Sequence, residues 1–132
     1  MAGYSGTPLL KKLGIKEENR VLLINPPRQL PEELRDYAHK KPKPPVDFVL
    51  LFATSQTEYQ ADFARAAKMI VPDGMVWIAW PKKTSGMKTD LTENTIRDHA
   101  LKTKFVDVKV CAIDETWSGL KLVVRKELRA KA

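Results

Sequence analysis

The sequence predicts an α/β fold: one Rossmann-like domain, a two-layer or three-layer sandwich around about five strands, mostly parallel with a C-terminal antiparallel strand. Three observations predict it. Two unbroken apolar runs, Asp47 to Ala53 and Met75 to Trp80, suit strands covered on both faces, as in the middle of a parallel sheet. Between them, Tyr59, Phe63, Ala66, Ala67 and Ile70 recur at helical spacing. After them, Val106, Val108, Val110 and Ala112 alternate with Asp107, Lys109, Cys111 and Ile113, and Leu120, Leu122 and Val124 alternate with Lys121, Val123 and Arg125. This alternation marks two half-exposed strands, an antiparallel pair at the sheet's end.

In chain order, Thr7 is placed to cap a helix, Pro8 to open it and Gly14 to stop it, with Leu9, Leu10 and Leu13 facing inward. Tyr4-Ser5-Gly6 ahead of it reads as an ordered lead-in loop. Val21 to Ile24 is the first buried strand, ended by Asn25-Pro26-Pro27, since consecutive prolines cannot continue a sheet ladder. Pro31 to Ala38 forms a short helix with acids in its first turn. Residues 40–45, KKPKPP, are a stiff exposed connector. Ser55 and Glu58 have capping-box spacing for a helix running to about Ile70, and Pro72-Asp73-Gly74 turns the chain into the central strand. Asp90-Leu91-Thr92-Glu93 offers a second box, for a helix to about Thr103. The whole chain, 1–132, is read as one domain, with 1–14 as its N-terminal helical segment.

An excess of 23 Lys and Arg over 16 Asp and Glu gives a net charge of +7. That balance favours anionic partners, although the cations are spread along the chain as in many solubility-tuned surfaces. One cysteine excludes an internal disulfide and a cysteine-based metal cluster, and fits a reducing compartment. Cys111 has no adjacent base to activate it and reads as a core or boundary residue. His99 has no second ligand at metal spacing and reads as a surface or boundary residue, so no metal site is expected. The chain carries neither a signal-peptide pattern nor an apolar run of about eighteen residues, and a cytoplasmic protein without a membrane partner is expected.

Chemistry-bearing residues collect where strands end. Lys82, Lys83, Thr84, Ser85 and Gly86 follow the central strand at its carboxyl end, the edge at which open α/β sheets bind ligands. Asp114, Glu115, Thr116, Trp117, Ser118 and Gly119 lie between the last two strands. If the strand from Val106 runs parallel to the central one, this loop opens at the same edge, as do Asn25 and Thr54-Ser55, and four loops converge on one cleft. Two readings stand. In one, the lysines neutralise a phosphate or carboxylate, Thr84 and Ser118 hydroxyls and amides near Ser85-Gly86 orient it, and Trp117 packs on its apolar part. In the other, Asp114 and Glu115 pair with Lys82 or Lys83, and Trp117 plugs the end of the core. No cofactor is specified by either.

From about residue 15 to 126 the order of elements resembles the class I methyltransferase architecture: a strand beginning at Asp47, a helix, Val71-Pro72-Asp73-Gly74 leading into a strand, a helix, and a closing antiparallel pair. It departs where adenosylmethionine would sit. Asn25-Pro26-Pro27 replaces the glycine-rich turn, and about twenty residues between the first two strands leave no room for the strand bearing a ribose-binding acid. The strings Tyr4-Ser5-Gly6-Thr7-Pro8-Leu9, Trp80-Pro81-Lys82-Lys83 with Ser85-Gly86, Thr89 to Thr92, Val108 to Cys111 and Asp114 through Lys121 resemble an uncharacterised bacterial family, a domain of unknown function. That resemblance implies a bacterial protein and supplies no reaction.

Right-handed crossovers with strands added in one direction would put all three connecting helices on one face. The helix near Thr7 to Leu13 is too short to cover the other face alone, so a homodimer or another partner is expected there. The functional expectation is a binder of a small anionic ligand at the carboxyl edge; the alternative is a non-enzymatic module that binds nucleic acid or protein through basic surface.

Overall fold

The two apolar runs form the centre of one sheet. In the computed structural model, which describes residues 8–129, helices α1 (Leu9–Leu13), α2 (Glu32–Ala38), α3 (Gln56–Met69) and α4 (Glu93–Ala100) pack on strands β1 (Val21–Ile24), β2 (Val46–Phe52), β3 (Ile70–Pro81), β4 (Phe105–Ala112) and β5 (Trp117–Val124). The strand order is β1-β2-β3-β5-β4. Tyr4-Ser5-Gly6 and the Thr7 cap lie outside the described residues; within them, Pro8 occupies the cap position of α1.

The pairing corrects the expectation of a mostly parallel, Rossmann-like sheet. Only β1–β2 and β2–β3 are parallel, whereas β3–β5 and β5–β4 are antiparallel. The sheet is therefore mixed. The physical reason lies in β5: its tight connection to β4 brings it back between β3 and β4, so one inserted strand makes two antiparallel ladders. An apolar run such as Met75 to Trp80 reports burial on both faces and does not report the direction of its neighbours.

The helices also divide differently than expected. Tyr59, Phe63 and Ala66 of α3 pack with Ile96 and Ala100 of α4 on one face, against Val49, Val76, Ile78, Leu120 and Leu122. Leu9 and Leu13 of α1 pack with Leu34 of α2 on the other, against Phe48, Leu50, Phe52 and Trp77. The β1-α2-β2 and β2-α3-β3 connections step sideways in the same direction yet use opposite faces, so they have opposite hands. The right-handed rule describes a strand feeding directly into a packed crossover helix. Here Asn25-Pro26-Pro27 and the 40–45 connector separate the seven-residue α2 from both strands, and that coupling is lost. The second face over β2 and β3 is thus covered within the chain, which removes the reason for expecting a homodimer there.

Local chemistry fixes these elements. Ser55 Oγ accepts from Glu58 N at 3.1 Å, and Glu58 Oε1 accepts from Thr54 N at 2.9 Å, so the box expected at α3 is formed. The α4 box is instead Thr92 with Thr95, because Asp90 is drawn away to accept from Gln56 N at 2.8 Å. α1 is held by its own last carbonyls: the buried Trp77 indole donates to Leu13 O at 3.0 Å. Pro72-Asp73-Gly74 is no turn; it bulges within β3, where the register jumps from Val46↔Ile70 to Phe48↔Met75. A Cβ on Gly74 would lie 2.8 Å from Asp47 O and 2.7 Å from Ile70 Cγ1, so only glycine allows this approach.

Candidate functional site

Because β5 opposes both β3 and β4, β4 runs in the direction of β1, β2 and β3. The carboxyl ends of four strands therefore share one edge, and every loop singled out in the sequence does open there. Within that edge the loops sort into two neighbourhoods.

The first joins the segment after β3 to the β4–β5 turn. Lys82 N donates to Thr116 O at 2.8 Å, extending the ladder one step beyond Pro81↔Trp117. Lys83–Ser85 then makes a single 3-10 turn closed by Gly86 at φ 77°, a left-handed conformation that favours glycine. Ser85 Oγ donates to Lys82 O at 2.6 Å and accepts from Met87 N at 3.2 Å, while Ser85 N and Gly86 N bond to Lys82 O and Lys83 O. Ser85 and the amides of Ser85 and Gly86 therefore shape the turn. Lys82 is half-buried, and Lys83 and Thr84 are exposed.

Across from them, Asp114 Oδ1 accepts from Thr116 N and Trp117 N, both at 2.8 Å, so the carboxylate holds its own turn through that oxygen. Trp117 is 6% exposed and meets Phe52 edge-on, with ring centroids 5.1 Å apart. It plugs the end of the core. Gly119 is buried under Trp77, and its extra Cβ would sit 3.0 Å from that ring. Trp117 and Gly119 are structural, and neither presents a surface to a ligand. Glu115 is exposed, and Thr116 and Ser118 are half-buried. The expected pairing of Asp114 or Glu115 with Lys82 or Lys83 does not form: the ion pairs among the described residues involve other groups.

The neighbouring start of α3 is closed to anions by the protein's own carboxylates. Glu58 and Asp90 take the N–H groups of Thr54 and Gln56, filling positions that a phosphate would otherwise use.

The second neighbourhood lies beside β1. Asn25 sits at φ 54°, in the left-handed region, and its Nδ2 donates to Asp62 Oδ2 at 2.6 Å. Asp62, 7% exposed, also pairs with Arg65. Residues the sequence reading passed over meet here: Asp62, Arg65, Lys41 and Lys68. The signal was present, since Asp62 lies three residues after Tyr59 and hence on the inward stripe of α3.

Elsewhere, His99 Nδ1 lies 2.9 Å from Tyr59 Oη, and the His99 ring stacks edge-on against both Tyr59 and Phe63. Burial, and then Lys102, lowers the His99 pKa, while burial raises that of Tyr59. α4 carries His99 toward the opposite edge, away from the loops. Burial likewise pushes the Cys111 thiol up, against the opposing fields of Lys12 and Lys109. Among the described residues no cluster of three or more His, Cys, Asp or Glu side chains is placed to hold a metal ion, and no helix is long and apolar enough to cross a membrane.

No protein-family model matches the chain, and no curated protein matches it. The resemblance to an uncharacterised bacterial family therefore rests on its motifs alone.

Proposed function

We propose that the chain binds a small anionic ligand, bearing a phosphate or carboxylate, at the carboxyl edge of the sheet beside β3 and the β4–β5 turn. One observation carries the reading. Lys82 and Lys83 stand side by side next to a turn containing Asp114 and Glu115, yet neither lysine forms an ion pair among the described residues. Two neighbouring cations left uncompensated raise the local potential and attract an anion. Lys82 and Lys83 supply the charge, and the hydroxyls of Thr84, Thr116 and Ser118 are the nearby groups able to complete its hydrogen bonds. With Asp114 holding its turn and His99 directed to the other edge, the reading is one of binding without an assigned reaction. A cytoplasmic location belongs to the same proposal, supported by the single, half-buried Cys111.

A thermal-shift screen with nucleotides, sugar phosphates, acyl-CoA and short oligonucleotides tests it. A ligand at a hundred times its dissociation constant stabilises by about 2.7 kcal/mol. A hit that tolerates salt and is abolished by Lys82→Glu/Lys83→Glu supports the site. A response confined to oligonucleotides, steeply salt-dependent and only weakened by that variant, would replace this reading with the nucleic-acid one.

A further inference from the structure

The groove along β1 differs from the lysine turn in both position and chemistry. β1 is an edge strand, and beside it the second half of α3 borders an open groove of about 520 Å³. Clefts that hold small molecules span roughly 300–1,000 Å³. Its floor is apolar: Leu22, Ile24 and Met69 line it while remaining half-buried. Its rim is cationic, with Lys68 and Arg65 from α3 and Lys41 from the proline-rich connector. Asp62 pairs with Arg65, whereas Lys41 and Lys68 form no ion pair among the described residues. Three cations are thus answered by one carboxylate.

Lys68 has a partial structural explanation, since a cation in the last turn of a helix complements its terminal carbonyls. That argument does not reach Lys41, which comes from a separate segment of the chain. Bringing like charges to one groove from two segments is unfavourable, and an anion there relieves it. The floor supplies the second requirement. A bare phosphate would leave Leu22, Ile24 and Met69 in water, whereas an alkyl or aryl body would cover them.

We propose that this groove binds an amphipathic anion: a small carboxylate or phosphate ester whose apolar body lies on Leu22, Ile24 and Met69 and whose charged group meets Lys41 and Lys68. The Asn25 amide, held at the end of the groove by Asp62, closes it on that side. This site is independent of the lysine turn and goes beyond the function proposed above.

Isothermal titration of the full chain with octanoate, decanoate and dodecanoate below their micellar concentrations tests it, with acetate and decyltrimethylammonium as controls. Affinity should climb by up to about fourfold per added methylene, with acetate far weaker than the series and the cationic amphiphile not binding. Lys41→Glu/Lys68→Glu removes two attractions and adds two repulsions at exposed positions, and should weaken decanoate by roughly tenfold. Lys82→Glu/Lys83→Glu removes carboxylate binding at the lysine turn and should leave the chain-length-dependent component unchanged. The proposal is overturned if affinity does not depend on chain length, if decyltrimethylammonium binds as well as decanoate, or if only the Lys82/Lys83 variant loses binding. The first two outcomes require no variant, so a folding defect cannot obscure them.

Discussion

The Asn25 amide and the Asp62 carboxylate, 2.6 Å apart, tie the end of β1 to the middle of α3. This bond fixes a non-glycine residue at φ 54° and gives a nearly buried carboxylate its partner. Asn25 and Arg65 are exposed and regain water when Asp62 is removed, so Asp62→Ala loses the bonds alone and should destabilise by about 0.5–1.5 kcal/mol. Asn25→Gly retains the backbone conformation and loses only the bond. Asn25→Val adds a β-branched side chain at positive φ, a further cost of about 1–3 kcal/mol. Urea unfolding should rank the three variants in that sense, with Asn25→Val less stable than Asn25→Gly; equal midpoints for these two would show that the backbone is free to relax.

Much of this architecture was legible because burial leaves a periodic trace. DFVLLFA and MVWIAW mark central strands, and Ser55-x-x-Glu58 marks the start of α3. Strand direction leaves no such trace: Leu120, Leu122 and Val124 alternate in the same way whichever neighbour they pair with, so the insertion of β5 between β3 and β4 could not be read. The loop residues show a related limit. Asp114, Trp117 and Ser85 have the chemistry of a site, but their partners are backbone amides, a neighbouring aromatic ring and a turn carbonyl. A list of residue types does not distinguish a carboxylate that holds its own turn from one that faces solvent. Lys41 and Lys68 went unnoticed because they are separated in sequence and meet only once α3 lies beside β1.

Trp117 and Gly119 lie in the core, which separates structural from surface roles by stability. Trp117→Ala leaves a cavity against Phe52 and should cost about 3–5 kcal/mol. Gly119→Ala forces a methyl to 3.0 Å from Trp77 and 3.1 Å from Ile113 and should cost about 1–3 kcal/mol. Lys83→Ala, exposed in the neighbouring turn, should stay within about 0.5 kcal/mol of the parent. Chemical denaturation of the three variants checks the division; a large loss for Lys83→Ala would place that lysine in the structural set.

His99 makes stability depend on pH. Burial lowers its folded pKa below the ordinary value of 6.5, so the unfolded chain binds the extra proton first. The contribution of His99 is fully present above pH 6.5 and is lost progressively as pH falls toward the lowered folded value. Unfolding free energy measured from pH 7.5 to 5 should therefore decline, and His99→Gln should flatten that slope. An unchanged slope in the variant would assign the decline to other groups.

Lys109 and Lys121 face each other directly across the β4–β5 ladder on one side of the sheet. Burial, and then Lys109, lowers the Lys121 pKa, as expected when a charged group is drawn partly out of water beside a like charge. Like charges directly opposite are destabilising, and opposite charges there contribute about 0.2–1 kcal/mol. Lys109→Glu exchanges one arrangement for the other at an exposed position and should raise stability by about that amount at low ionic strength. The gain should shrink as salt is added, because the pair is open to solvent. Thermal midpoints at low and high salt decide it: a rise that persists in high salt would mean that strand propensity or packing, and not the Lys109–Lys121 repulsion, is responsible.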